Sequence, residues 1–326
     1  MKTKIVYVLV SSKSDIYLEQ AWLSIFSLKQ HNRDAFVTLV VDNVTKSSLD
    51  DGRKKILCYV DELIVEQRPI GFSAKESASY MKTKLREIIQ GDFLFIDTDT
   101  IIIGDLSTID NNTCDIAAVP DSHVPYLEHY NLKSYISLFK RMGFDIQNEF
   151  YFNSGVIYVK DSVKAHNLYA KWNESYSFGH EDCPYDQPHL AKVNSNLNVI
   201  EEMSGDWNCQ IQYGVRFFAK AKIIHYFASN ILLSQKEFPF YFMNKNVFEQ
   251  IKKDGCISDE IKERINDIHN QWLVKTEILG GKTVDFLHSD MLKVLQIIFF
   301  KNPRLFNFIN SSIGFIGWFL KKQKYK

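Results

Sequence analysis

Between positions 93 and 103 the chain reads FLFIDTDTIII, an apolar run interrupted by Asp97 and Asp99. On an extended strand, residues i and i+2 face the same side, which predicts both carboxylates together and Thr98 turned away. Two like charges so close repel unless a cation sits beside them. Carboxylate oxygens suit magnesium or manganese, ions that usually also hold substrate phosphates. A turn whose acids cap backbone amides is the plainer alternative. Three further stretches carry reactive side chains. FNSGVIYVK places Asn153, Ser154 and Gly155 ahead of a strand, and YDQPHL places Asp186 and Gln187 together in a loop. AKIIHYF sets His225 near the end of an apolar strand. Alone, each has a structural explanation: turn chemistry, a helix N-cap at Asp186, and a core imidazole with satisfied bonds.

Such residues need a scaffold that brings them together. KIVYVLV, AFVTLVVD and YVDELIVE read as buried strands, and YLEQAWLSIFSLKQH carries apolar residues at helical spacing. YMKTKLREIIQG reads as an amphipathic helix ending on a glycine cap. Strand and helix in alternation predict a largely parallel sheet with crossover helices. Ligands of open sheets bind beyond the carboxyl ends of the strands, which is where FLFID stops. In the second half, DIAAVPD, FNSGVIYVK, NLNVIEE and AKIIHYF read as mixed strands, and SDEIKERINDIHNQWLVK as helix.

Bulk properties narrow the class. The 39 basic and 39 acidic residues among 326 leave a formal net charge of zero, which removes the electrostatic footprint of a nucleic-acid binder. The five cysteines are scattered with no C-x-x-C pair, so neither a zinc site nor a disulfide framework is indicated. They read as reduced thiols of a cytoplasmic protein. MKTKIVYVLVSS reads as a first strand, since its apolar run is short and no small-residue cleavage site follows.

The order D-x-D, F-N-S-G-V, D-Q, then a strand-borne histidine resembles the motif series of glycosyltransferase family 8, over roughly residues 3 to 230. That group includes glycogenins and bacterial lipooligosaccharide galactosyltransferases. The resemblance implies an α/β GT-A fold over residues 1–248: a Rossmann-like, mostly parallel twisted sheet with flanking helices. It implies retaining, metal-dependent transfer of a hexose, galactose or glucose, from a UDP-sugar to a saccharide acceptor. By it Asp97, Asp99 and His225 hold manganese or magnesium against the diphosphate, and Lys82 stands where the family usually has an arginine. Thr98 and Ser154 adjoin the donor, and Leu9, Val10 and Ser11 fall where uracil and ribose rest. Asn153, Asp186 and Gln187 match residues that grip sugar hydroxyls and line the reacting face, and Asp121 matches a position near sugar and acceptor. Gln187 is a poor nucleophile, so it is assigned to steadying positive charge on the sugar ring.

The chain departs from the pattern twice. SSKSDIY offers Ser11, Ser12 and Lys13 where the family often has an Asp and an Asn-Tyr pair. After His225 the family's H-x-x-G-x-x-K-P-W is replaced by HYFASNILLS, with Ala228 for glycine and Ile231 for lysine. Lys236 is a nearby substitute. These changes favour a rival, a non-catalytic nucleotide-sugar-binding or partner-binding homologue; retention of Asp97, Asp99, Asp186, Gln187 and His225 favours turnover. A sugar-phosphate nucleotidyltransferase would need a glycine-rich basic loop that VYVLVSSKSD lacks.

Residues 249–326 read as a helical extension whose tail, about 289–326, mixes aromatic and aliphatic residues with lysines and has no acid after Asp290. Leu305 to Leu320 is too short and too polar, with Asn307, Asn310, Ser311 and Ser312, to be the roughly 20-residue apolar span that crosses a bilayer. An amphipathic segment lying on anionic lipid fits better, peripheral on the inner face of the cell membrane. It would place the protein beside a lipid-linked saccharide acceptor, as in bacterial surface polysaccharide or lipooligosaccharide synthesis. Packing of the tail against the domain core is the alternative.

Overall fold

A computed structural model of the chain describes residues 1–50, 52–226, 238–274, 277, 280, 282–287 and 289–323, with 316–323 as backbone alone. The chain divides into two units, Met1–Phe227 with Asn244–Gln271, and Ala228–Met243 with Trp272–Lys326. Ala228, Ile231 and Lys236 lie outside the described residues.

The first unit contains β1 (Lys4–Leu9), β2 (Val37–Asp42), β3 (Glu62–Glu66), β4 (Phe93–Ile96), β5 (Thr100–Ile102), β6 (Ile116–Pro120), β7 (Phe152–Val159), β8 (Ile200–Glu202), β9 (Cys209–Gln210) and β10 (Ile223–His225). Seven of them form one sheet in the order β3-β2-β1-β4-β7-β6-β8. Strands β1 to β4 run parallel there; β7 is antiparallel to both neighbours, and β8 is parallel to β6. The three runs are strands joined by crossovers. Strands β1 and β2 are buried, as continuous hydrophobicity implies for strands covered on both faces, whereas β3, expected to be buried as well, is an edge strand only partly buried, with Val65 exposed. Alternation along β1 separates those faces. Tyr7 sends its hydroxyl to Ser24 on the helix Tyr17–His31, while Val6 packs with Met81, Leu85, Trp172 and Leu190. Those partners come from the helices Ala74–Thr83, Leu85–Ile88, Val163–Gly179 and Asp186–Leu197.

Two local expectations change. The stretch YMKTKLREIIQG is two short helices, and Ile89 is already extended, so Gly91 (φ +80°) shapes the turn into β4 instead of capping a helix. FLFIDTDTIII is not one strand. Strand β4 stays in the large sheet, whereas β5 joins a second sheet of order β5-β10-β9, leaving Asp97 to Asp99 as the joint. Thr100 Oγ1 donates to the Asp97 carbonyl at 2.9 Å and lies 2.6 Å from Ser24 Oγ, and Ser27 Oγ accepts from the Ile102 amide at 2.9 Å. Two helix serines thus hold the switch between sheets. The strand-alternation argument for the paired acids does not apply at such a joint.

In the second unit, Phe240 and Trp272 form an isolated antiparallel bridge, and the Leu273 amide donates to the Pro239 carbonyl at 2.8 Å. The helices Lys282–Leu287, Asp290–Lys301 and Pro303–Gln323 follow. Their apolar residues are largely exposed, Val294, Phe308 and Phe315 among them. Among the described residues no helix is long and apolar enough to cross a membrane.

Candidate metal and donor site

Register, not alternation, brings the acids to the histidine. On β10, His225 pairs with Thr100, one residue beyond Asp99. The Tyr226 amide donates to the Asp99 carbonyl at 3.1 Å. Side-chain ligand atoms of Asp97, Asp99 and His225 lie within 4.8 Å of one another, and His225 Nε2 is 3.2 Å from Asp99 Oδ1. Gly155 makes this approach possible: a Cβ there would meet His225 Cε1 at 2.3 Å and Asn153 Oδ1 at 2.9 Å. Its carbonyl also accepts from the Asp97 amide at 2.7 Å. The glycine of FNSG is thus required inside β7 itself, and Asn153, Ser154 and Gly155 lie within the strand instead of ahead of it.

The site is short of positive charge. Loss of hydration pushes the Asp97 carboxyl up to about 6, with neighbouring Asp99 adding to the effect against the pull of Lys82. At Asp99 burial also opposes the charge, but His225 outweighs it and holds the carboxyl below its ordinary value. Burial works against protonation of His225 too, and Asp99 prevails there, raising it. Two acceptor-only carboxylates and an imidazole nitrogen converging where negative charge is in excess form a donor set that fits a divalent cation.

Lys82, in the last turn of the helix Ala74–Thr83, is the cation beside this group. Its Nζ lies 3.3 Å from Asp97 Oδ1, 3.2 Å from Asp186 Oδ2 and 3.2 Å from Ser154 Oγ, above the Phe95 ring at 4.7 Å. Burial would lower its pKa, but Asp186 and Asp97 more than compensate, so it is raised. Asp186 is the first residue of its helix and not the N-cap, which is Tyr185. Its carboxylate therefore points to Lys82. Next to it, Gln187 accepts through Oε1 from the Ser154 amide at 3.0 Å. Lys82, Asp97, Ser154, Asp186 and Gln187 are thereby one connected cluster.

A second cluster begins on β7. Asn153 Nδ2 donates to Asp121 Oδ1 at 2.7 Å, and Asp121 Oδ2 is 2.9 Å from His129 Nε2. Burial disfavours the Asp121 charge, yet His129, Asn153 and Gln187 together hold its carboxyl below the usual value. Asp121 enters the cluster from an unusual turn. Ser122 and His123 both have left-handed backbone, at φ 56° and 58°, conformations that cost non-glycine residues about 1–3 kcal/mol each and persist only when neighbours enforce them. Gln210 enforces this one. Its Oε1 accepts from the Ser122 amide at 2.7 Å, its Nε2 donates to the Pro120 carbonyl at 2.9 Å, and its own amide donates to His123 Nε2 at 3.1 Å. Burial pushes His123 down to about 4, which keeps the ring neutral and able to accept.

The second cluster is tied to His225 by Asn208, which sequence reasoning missed. Its Nδ2 donates to Asn153 Oδ1 at 2.9 Å and its Oδ1 is 3.0 Å from His225 Nδ1. Gln210 and His129 were missed as well. The only trace in the sequence is WNCQ, two amides one residue apart, a pattern without a recognisable signature.

Leu9, Val10 and Ser11 continue β1 at the same carboxyl end of the parallel strands as Asp97. The side chains of Leu9 and Val10 are buried in the core, and Ser11 Oγ is already bonded to Asp15 Oδ1 (2.6 Å) and Arg53 Nη2 (2.7 Å). Thr98 is half-buried in the joint. A groove of about 700 Å³ contains none of these residues; it lies between helices and is lined by Arg141, Lys171 and Lys192 among others.

No protein-family model matches this chain, and no curated protein sequence matches it. Solved structures do. WbbM, a bifunctional glycosyltransferase in its apo form, is 15% identical with a TM-score of 0.52, covering 81% of this chain and 51% of WbbM. The galactosyltransferase LgtC in complex with donor and acceptor sugar analogues is 14% identical with a TM-score of 0.51, covering 80% of this chain and 100% of LgtC. An active-site mutant of LgtC gives 12% identity and a TM-score of 0.52, covering 84% and 98%. The chain thus spans about half the length of WbbM and all of LgtC, and it shares the GT-A fold of these glycosyltransferases.

Proposed function

We propose that this chain is a metal-dependent, retaining hexosyltransferase that moves galactose or glucose from a UDP-sugar to a saccharide acceptor. The convergence of Asp97, Asp99 and His225 where the parallel strands end, in a fold shared with glycosyltransferases, is the observation that carries this reading. A manganese or magnesium ion, when bound by these three residues, opposes the charge that gathers on a departing diphosphate, which selectively stabilises the transition state. Lys82 supplies a second positive charge and is already held between Asp97 and Asp186. Asn153, Asp121 and Asp186 offer a buried polar wall for sugar hydroxyls. Gln187, anchored by Ser154, directs its amide toward the reacting sugar without serving as nucleophile. Thr98 and the main chain at the end of β1, Leu9 to Ser11, are assigned to the nucleotide side.

The acceptor is a lipid-linked saccharide, reached from an anionic membrane surface on the cytoplasmic face. Support comes from the tail helices, which leave Met291, Val294, Ile297 and Phe308 exposed along with Lys301 and Arg304, while Lys293 is half-buried. Bacterial surface polysaccharide or lipooligosaccharide synthesis is the setting this suggests.

The experiment is slow donor hydrolysis: a panel of UDP-sugars incubated with protein and Mn2+, with UDP release measured. Release from one UDP-hexose is expected; binding of UDP-sugars without release from any would favour the non-catalytic homologue instead. For the tail, flotation with phosphatidylglycerol vesicles should carry the full chain but not a chain lacking residues 289–326. Equal flotation of both would remove the membrane assignment.

A further inference from the structure

The hydrogen bonds that run from Asp121 to His225 can each be given a direction. Ionised Asp121 only accepts, so Asn153 must turn its amide nitrogen to it. That leaves Asn153 Oδ1 facing the Gly155 amide and the Asn208 nitrogen, both donors at 2.9 Å. Asn208 then has only its oxygen for His225 Nδ1, at 3.0 Å. Nδ1 must carry a proton, and Nε2 is the nitrogen turned to Asp99 and the candidate metal position. All four residues are at least nine-tenths buried, Asn208 completely, so water does not compete for these bonds.

From this we infer that Asn208 is the positioning residue that couples the two halves of the site. Through its oxygen it sets the tautomer and ring orientation of the metal-facing histidine, and through its nitrogen it holds Asn153 against Asp121. The inference rests on the metal and donor assignment proposed above. Hydrogen bonds of this kind to ligating histidines typically affect metal affinity ten- to a hundredfold. The strand geometry supports a dedicated role: Asn208 immediately precedes β9, whose Gln210 pairs with His225 in register and clamps the turn after Asp121. One short segment therefore touches the histidine and holds both chain neighbours of the acid, Pro120 and Ser122.

The two functions of the amide can be separated. Asn208→Ala removes both bonds. Asn208→Asp keeps an oxygen for His225 Nδ1 but cannot donate to Asn153 Oδ1, and sets a carboxylate against it. The test is Mn2+ affinity in the presence of UDP, read by electron paramagnetic resonance on the full chain, beside KM for the UDP-sugar. Asn208→Ala should weaken Mn2+ at least about tenfold, while Asn208→Asp should keep it within threefold and raise donor KM about tenfold. A general structural role would shift both quantities in both variants along with melting temperature. Unchanged Mn2+ affinity in Asn208→Ala, or equal loss in both variants, overturns the inference while wild-type binding leaves the functional reading standing. Wild-type protein that takes up no Mn2+ with UDP overturns the reading and the inference with it. If Asn208→Ala does not fold, Asn208→Asp decides alone, and an unchanged donor KM refutes the coupling.

Discussion

Two histidine–aspartate pairs stand in this site at similar separations, His225 with Asp99 at 3.2 Å and His129 with Asp121 at 2.9 Å. Their surroundings differ. Around Asp121 the neighbours are donors, Asn153 Nδ2 and the His129 ring, so one negative charge is fully met. Around Asp99 a second carboxylate, Asp97, crowds the same space, and burial leaves it with a raised pKa. The same pair of residue types is an anchor in one place and part of an acid-crowded candidate cation site in the other. What differs is the count of charges, which depends on the sheet switch that brings Asp97 alongside.

Substitutions at each pair should therefore have different signatures. The largest effect is expected for Asp99→Asn: Mn2+-dependent UDP-sugar hydrolysis should fall at least about a hundredfold, because charge stabilisation of a leaving group is lost. Metal-free melting should fall only slightly, since loss of the pairing with His225 is offset by relief of the crowding on Asp97. A large drop in that melting temperature would make the Asp99 pair an anchor like its counterpart.

Gly155→Ala comes next. Its Cβ would sit 2.3 Å from His225 Cε1, so ring or strand must shift. Overpacking of this kind costs about 1–3 kcal/mol, measurable by denaturant unfolding, and Mn2+ binding should weaken with it. Full retention of both would show that the histidine is not held where the structure puts it.

The smallest effect belongs to Asp121→Asn, about 1 kcal/mol at neutral pH from the lost charge-assisted bonds. Here the sign with pH is diagnostic. Because the folded-state pKa of Asp121 is depressed, its contribution is present above the unfolded value of about 3.9 and is lost as pH falls through the folded value. The stability gap between wild type and variant should hold from pH 7 to 5 and close in more acidic solution. A gap independent of pH would mean that Asp121 acts by packing alone.

Much of the scaffold was legible in the sequence. KIVYVLV and AFVTLVVD became β1 and β2 because crossover helices bury both faces of such strands, which leaves no polar alternation to misread. YLEQAWLSIFSLKQH matches the helix Tyr17–His31 residue for residue. The acids and His225 were legible by order and type, and the structure gathers them. Strand alternation is not what brings them together. Period-two alternation assumes that a strand continues, and nothing in FLFIDTDTIII announces a change of sheet, since Thr100 and Ile101 suit either. Asn208 and Gln210 were illegible for another cause: their work depends on partners far along the chain, such as Asn153 and Ser122. Amide hydrogen bonding of that range leaves no periodicity behind.

The central claim, that a divalent ion belongs between Asp97, Asp99 and His225, is tested most directly by thermal unfolding with Mn2+ titrated in the presence of UDP. Wild-type melting temperature should climb with metal concentration and saturate, as binding to the folded state alone requires, while Asp99→Asn should stay flat. An equal climb in both proteins would contradict the claim.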